Sequence, residues 1–356
     1  MKKLISLFLS VSVLLLAACS KQPDATSTEQ KSDNLPQIGS LLFIPGNSPK
    51  MLNKMIQMDA SAVPHAFVPD LEDSVPFSKK EEAREILGEF LSKEIEREVP
   101  FESEHTKEPF RLSNGAILIP RVNSEPQYFE KDLRAILSSK IYAITVGKTD
   151  TREDIERFQR ILSQVEQDLG LEHKVKLIPT IESAKALQNI REILQDIPLE
   201  RRLGVAFGAD DYASDIGFTR DTSPLLNGQR DTEFELDYVR FSIGAHSRAQ
   251  DLQSYDTPNV NFKNEQQHQK EAGAVKRMGF SGKFAIHPNQ SAVLNSVFGV
   301  TKEQYDEAMN VIEAYEKAVS EHSRGSLQID GRMVDQPVLK QYQNVITQWN
   351  LQNKGK

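Results

Sequence analysis

Beyond about residue 37 the chain repeats one phrase. A run of four to six apolar or β-branched residues ends in Gly, Pro or an acid, and an amphipathic stretch of helical period follows. The runs are Leu41–Pro45, Ala66–Asp70, Ile117–Val122, Ala143–Val146, Lys176–Ile181, Gly204–Phe207, Asp251–Tyr255 and Lys283–Ile286. Between them the spacing predicts helices over Ser78–Glu94, Pro126–Leu137, Arg152–Leu169, Ser183–Leu194, Glu233–Ala245 and Glu265–Met278. Strands alternating with helices imply a parallel sheet with crossover connections. Eight such units over roughly 250–260 residues match the size of a (β/α)8 TIM barrel. A doubly wound sheet is the structural alternative. No Gly-x-Gly-x-x-Gly follows a run and no Walker A sequence is present, which argues against a nucleotide-binding version of it.

Two stretches fall outside the repeat. Glu94–Asn114 is a long polar connection, expected on the surface, and Thr301–Ser320 is a further helix followed by a separate tail, Leu327–Lys356. The expected organisation is therefore a barrel over 38–300 and a C-terminal helix and tail over 301–356.

The first residues obey a different pattern. Lys2 and Lys3 precede an apolar segment, Leu4–Leu16, that falls short of the ~20 residues needed to span a bilayer. Leu16-Ala17-Ala18-Cys19 then reads as a bacterial lipobox, with cleavage before Cys19 and acylation of its thiol; an ordinary secretory signal with a chance cysteine is the alternative. Residues 1–18 are thus expected to be a lipoprotein signal and 19–37, polar and without apolar period, a flexible tether. The expected location is extracytoplasmic and lipid-anchored, on the periplasmic side of the outer membrane in a cell with two membranes.

Composition narrows the chemistry. With 43 Lys+Arg against 51 Asp+Glu the chain is acidic, which excludes nucleic acid as a bulk electrostatic partner. Its single cysteine excludes an intramolecular disulfide and a multi-thiolate zinc site. The active site of a barrel lies at the C-terminal ends of its strands. Reading those ends in order gives Pro45-Gly46-Asn47, Asp70-Leu71-Glu72-Asp73, Arg121-Val122-Asn123, Lys148, Glu182, Asp210-Asp211, Asp256 and His287. Carboxylates without thiolates suit a hard divalent cation, Mg²⁺ or alternatively Mn²⁺, able to bind a carboxylate and stabilise an enolate oxygen. Any one such acid could instead cap a helix or face solvent.

The phrases LLFIPGNSPKMLNKM, VPDLEDSVPFSKKEEAR, IPRVN, TVGKTDTREDI, PTIESAKAL, FGADDYASDIG, GFSGKFAIHPNQ and DGRMVDQP resemble, in order, the citrate lyase β-subunit-like family within the HpcH/HpaI aldolases. The resemblance implies a Mg²⁺-dependent barrel, commonly trimeric, that makes or breaks carbon–carbon bonds next to a carbonyl. The implied substrates are malyl-, citramalyl- or citryl-CoA-like thioesters. By the same resemblance, Glu182 and Asp211 match the metal ligands and Arg121 the arginine that grips the substrate carboxylate. A salt bridge to a neighbouring acid is the other role open to Arg121. Glu72 and Asp73 match acids that orient metal-bound water, or else cap the following helix, and Asp70 could do either. Asp210 stands where the family usually has Glu and is expected beside the metal rather than on it.

Lys148 is expected as an ion-pairing residue ahead of a Schiff-base lysine, and His287 as a hydrogen-bonded structural residue ahead of a metal ligand. Asp335 matches an acid that reaches a neighbouring subunit's site as general acid or base; otherwise it is a turn residue before Pro337. Lys54, with Pro45-Gly46-Asn47, resembles an entrance for the CoA moiety. Gly39 replaces an Arg of many relatives, so a phosphate-facing charge is expected to be missing. An exported chain meets little CoA, so a CoA-independent hydroxy- or oxo-acid aldolase and a non-catalytic dicarboxylate-binding lipoprotein remain alternatives.

Overall fold

In the computed structural model, residues 35–95, 109–220, 234–322, 325–329 and 331–353 are described. The expected lipoprotein signal with Cys19, almost all of the expected tether and most of the polar connection before Asn114 lie outside them. The elements run β1 (Ser40–Pro45), α1 (Pro49–Ile56), β2 (Ala66–Asp70), α2 (Lys80–Ile95), β3 (Ile117–Leu118), β4 (Arg121–Val122), α3 (Pro126–Ile136), β5 (Ala143–Val146) and α4 (Arg152–Asp168). There follow β6 (Lys176–Ile181), α5 (Ala184–Gln188), α6 (Ile190–Gln195), β7 (Gly204–Phe207), α7 (Ala209–Asp215), α8 (Asp237–Ala249), β8 (Gln253–Asp256), α9 (Glu265–Arg277), β9 (Gly282–Ala285) and α10 (Pro288–Phe298). The chain continues through α11 (Lys302–His322), β10 (Leu327–Ile329), β11 (Arg332–Val334) and α12 (Gln336–Asn353).

All sheet pairings from β1 to β9 are parallel, and β1 pairs with both β2 and β9, which closes the barrel. β3 and β4 are two halves of one wall strand, parted at Pro120, which has no N–H to give the ladder. Its carbonyl still accepts from Thr145 N–H at 2.9 Å, so the wall is continuous. The (β/α)8 barrel expected from the pattern is the fold observed. Two layers of apolar side chains hold it: Leu41, Ala66, Val68, Ile117, Ala143, Ile178, Ala206 and Phe284 fill the axis. Leu42, Phe67, Leu118, Ile144, Leu177, Val205 and Ala285 face the helices. That is the period-two alternation of a strand covered on both sides.

Three expectations need correction. The seventh run begins at Gln253, not Asp251, because Asp251 has a left-handed φ of 54° that no strand accommodates. The helix expected over Ser183–Leu194 is two helices that meet at Asn189, whose side chain donates to Asp150 O at 3.0 Å and turns the chain there. The tail contains a β10–β11 hairpin and the 18-residue α12. Both pack on α11 through Val311, Tyr315, Val334 and Leu339. No helix among the described residues is long and apolar enough to cross a membrane.

Candidate active site

Alternation along the strands decides which strand-end residues reach the barrel mouth. On β2, Ala66 and Val68 face the axis, so Asp70 does too; on the third wall strand, Ile117 and Ile119 put Arg121 inside. The same count from Ala143, Ile178 and Ala206 places Gly147, Glu182 and Gly208 inside at the C-terminal rim.

Arg121 is held from three directions. Its Nε and Nη2 each donate to Asp70 at 2.6 Å, and Nη1 lies 2.9 Å from Glu72 Oε2 and 3.1 Å from Asp73 Oδ2. Its flat face lies over the Phe43 ring at 4.7 Å, and Phe43 in turn stacks on Phe284. Asp70 also accepts from the backbone N–H groups of Glu72 and Ser74 at 2.9 and 3.1 Å. Burial would raise the pKa of Asp70, but the Arg121 charge overrides it and holds the carboxyl below its ordinary range. The bond to a neighbouring acid is thus the role of Arg121 seen in the isolated chain. Asp73, at 57%, is the most exposed of the three acids on Arg121.

Lys148 is the second cation, and it bridges two acids. Its ammonium donates to Glu72 Oε1 at 2.8 Å, while its backbone N–H donates to Glu182 Oε1. A left-handed φ of 50° aims that N–H at Glu182. Burial would lower the pKa of Lys148, but Glu72 outweighs it and keeps the amine protonated, which suits an ion pair rather than a Schiff base.

On both sides of Glu182 the adjoining wall carries a glycine, Gly147 and Gly208. A Cβ on Gly147 would come within 2.9 Å of Glu182 Oε1, and one on Gly208 would collide with Glu182 Oε2. The two glycines, on the strands either side of β6, leave the carboxylate a cradle. Burial, then the nearby charges of Asp211 and Glu72, push the Glu182 pKa up to about 8. Asp211, in the first turn of α7, is raised by burial and then by Glu72; Glu72 is raised by burial and then by Asp73. Among the described residues no group of three or more His, Cys, Asp or Glu side chains forms a complete metal cage. The donors present are hard carboxylate oxygens, short of positive charge, beside an open cradle. They fit Mg²⁺, which takes one or two carboxylates and completes its shell with water or substrate.

Other predicted residues lie elsewhere. Asp256 points outward, opposite in phase to Tyr255, and is fully buried against Arg240 and Lys283, so it is no part of the mouth. His287 caps α10, accepting from Asn289 N–H at 3.3 Å, and stacks on Phe262, as a structural histidine would. Lys54 is exposed in the last turn of α1. Gly39 precedes β1 at the opposite end of the barrel, where a Cβ would strike Phe298, so no phosphate-facing charge is lost there.

Asp335 begins α12 and accepts from Val338 N–H at 3.2 Å. The far end of that helix is tied to the end of α10, where Gln352 accepts from Val300 N–H at 2.8 Å. A helix of this length spans ~27 Å, so Asp335 lies well away from that tie and is not joined by any described contact to Glu182 or Arg121. Asp210 pairs with Arg220 at 3.0 Å. Phe43 and Arg220 went unread in the sequence: an apolar run hides the first, and the second belongs to no motif.

A family model described as HpcH/HpaI aldolase/citrate lyase matches residues 39–288. The chain is 28% identical over 319 residues to a mitochondrial citramalyl-CoA lyase of Rattus norvegicus, covering 86% of this chain and 85% of that one. It is 26% identical over 302 residues to citrate lyase subunit beta of Haemophilus influenzae, covering 84% and 92%. Among solved structures, CitE of Mycobacterium tuberculosis in complex with magnesium, acetoacetate and coenzyme A matches with a TM-score of 0.63. That match is 20% identical and covers 88% of this chain and 98% of the other. A citrate lyase of Burkholderia xenovorans LB400 matches with a TM-score of 0.69 at 17% identity, covering 88% and 91%. At such identities the two structures establish the shared fold.

Proposed function

This chain belongs to the HpcH/HpaI aldolase/citrate lyase family, and we propose that it is a Mg²⁺-dependent carbon–carbon lyase acting on a malyl-, citramalyl- or citryl-CoA-like hydroxyacyl thioester. The observation that carries this reading is the cradle of Gly147 and Gly208 around Glu182, with Asp211 and Arg121 beside it. Glu182 and Asp211 would hold the cation, which when bound supplies Lewis-acid stabilisation of charge developing on oxygen as the carbon–carbon bond breaks. Mn²⁺ would serve in its place.

Arg121, fixed edge-on by Asp70 and face-on by Phe43, would orient the substrate carboxylate in place of Asp73. Lys148 would keep Glu72 ionised, so that both acids next to the cradle stay as acceptors. The proton would be moved by the Asp335 carboxylate of a second copy, in a homo-oligomer expected to be a trimer. The location of Asp335 at the start of α12, away from the tie to the barrel, supports a role between subunits. Lys54, exposed in the last turn of α1, would meet the CoA moiety. Cys19 would carry the lipid that holds the chain to a membrane outside the cytoplasm.

The test is to incubate the purified protein with Mg²⁺ and each of the three thioesters, and to follow release of the short acyl-CoA and the oxo acid by chromatography. Turnover that disappears on adding EDTA and in Glu182→Gln is the expected result. The export signal favours a second reading, a CoA-independent aldolase, which would instead release pyruvate or glyoxylate from free hydroxy acids. Tight dicarboxylate binding without turnover of any candidate would sink both and leave a binding lipoprotein.

A further inference from the structure

The helix that carries Asp211, α7, is only seven residues long, too short to keep its geometry without tertiary anchors. One anchor is at its start, where Gly208 N–H donates to Ile181 O at 3.0 Å and Gly208 packs on Glu182. A second is at its end, where Asp215 accepts from Ala184 N–H at 2.7 Å. The third comes from a residue outside every recognised motif. Arg220, with a side chain only 4% exposed, donates from Nη1 to Asp210 Oδ2 at 3.0 Å and from Nη2 to Pro258 O at 3.1 Å.

Pro258 is a fixed point. Lys283 Nζ donates to the carbonyl of Thr257 at 2.6 Å, and Gln290 Nε2 to that of Asn259 at 2.6 Å. The Asn259 side chain is held by Glu271. Arg220 therefore ties the first turn of α7 to the rigid start of the loop after β8. It does so through Asp210, the residue next to Asp211. A guanidinium bridging two acceptors fixes direction as well as distance, which an ammonium cannot.

We propose that Arg220 is a positioning residue that, through Asp210, sets the orientation of Asp211 toward Glu182 and so tunes the affinity of the site for a divalent cation. This role rests on Glu182 and Asp211 being the cation's ligands, as in the proposed function. Asp210 itself is 62% exposed while the Arg220 side chain is 4% exposed, so the pair holds the first turn of α7 from its buried side.

The experiment titrates Mn²⁺ into the full chain and its variants, with free Mn²⁺ read by electron paramagnetic resonance, alongside melting temperature and the Mg²⁺ dependence of turnover. Arg220→Ala and Asp210→Asn should each weaken Mn²⁺ about ten-fold or more. The double variant should be no weaker than either single one, because the two residues act as a unit. Arg220→Lys should recover only part of the affinity. The Mg²⁺ concentration needed for half-maximal turnover should rise, with substrate KM at saturating Mg²⁺ little changed.

A lowered melting temperature with unchanged Mn²⁺ affinity in both Arg220→Ala and Asp210→Asn would overturn the proposal. If Arg220→Ala does not fold, Asp210→Asn decides, since an exposed side chain loses only the pair. Absence of Mn²⁺ binding by the unaltered chain would overturn the reading of Glu182 and Asp211 as ligands, and the role of Arg220 with it.

Discussion

Two groups of carboxylates gather near the C-terminal ends of β8 and β6, strands separated in the wall by β7, and they are opposites. Asp256, at the end of β8, is fully buried with Lys283 and Arg240, and Lys283 also reaches Glu271 at 2.7 Å. Burial alone would raise both acids, but the two cations override it, so Asp256 is held at about 2 and Glu271 below its ordinary value. Glu182, at the end of β6, is nearly as buried, yet its carboxyl is pushed up to about 8, and Asp211 and Glu72 are raised with it. The first group is charge-balanced between the barrel wall and its helices; in the second, Arg121 and Lys148 answer Glu72, while Glu182 and Asp211 make no described ion pair at the open mouth. A carboxylate whose charge is answered by its own chain holds the fold together. One whose charge is not answered is poised for something the chain does not supply.

The sharpest way to break this contrast is to remove a charge from each side. Lys283→Met would leave Asp256 and Glu271 buried without the cation they share, at a cost of about 3–5 kcal/mol in urea unfolding. Glu182→Gln, measured in EDTA, should leave stability unchanged or raise it by about 1 kcal/mol, because it removes a charge that burial already disfavours. The same variant should lose turnover. If the two substitutions cost equal stability, the distinction between balanced and unbalanced carboxylates fails.

Acid should act on the balanced side through His268, which is buried on α9 near Lys283. Burial, then the Lys283 charge, lower its pKa to about 4 from an ordinary 6.5. The folded chain keeps this imidazole neutral while the unfolded chain binds a proton below 6.5. Stability from this group is therefore intact above 6.5, falls as pH drops from 6.5 to about 4, and falls no further below that. The loss is about 3 kcal/mol at most. His268→Leu should flatten the urea midpoint across this window; an unchanged pH slope in that variant would show that other groups carry it.

Much of this was legible in the chain, and the failures share a cause. The eight apolar runs located the wall because a strand covered on both faces is apolar throughout. That same property hides the phase, so Asp256 looked equivalent to Glu182 until Tyr255 and Phe284 were seen to face the axis. Arg121 and Glu182 stand in the phrases IPRVN and PTIES, and both face the axis. Arg220 was missed because its acceptors, Asp210 and Pro258 O, are brought to it only by the closed barrel. The helix α12 went unread because its residues are largely polar and its few apolar contacts lie on α11 rather than on the barrel.

A smaller perturbation tests the cradle itself. Gly208→Ala places a methyl group where Glu182 Oε2 lies, so the carboxylate must swing away or α7 must shift. The expected result is about ten-fold weaker Mn²⁺ binding with a loss of about 1 kcal/mol in stability. A variant that binds Mn²⁺ as the parent does would mean that the open space at Gly208 is not what fits the site to a cation.

The smallest effect expected separates the two jobs of Lys148. Its left-handed backbone costs about 1 kcal/mol in any residue but glycine, and its ammonium neutralises Glu72. Lys148→Ala keeps the backbone cost and loses the charge, whereas Lys148→Gly loses the charge but relieves the strain. Glycine should therefore melt higher than alanine by an amount equivalent to about 1 kcal/mol, less the greater freedom it gives the unfolded chain. Both should impair turnover alike, since each leaves Glu72 with Arg121 as its one described cation. If alanine is as stable as glycine, the φ of Lys148 is not strained, and its backbone N–H reaches Glu182 without cost. If only alanine loses activity, the backbone direction matters to the site and the ammonium does not.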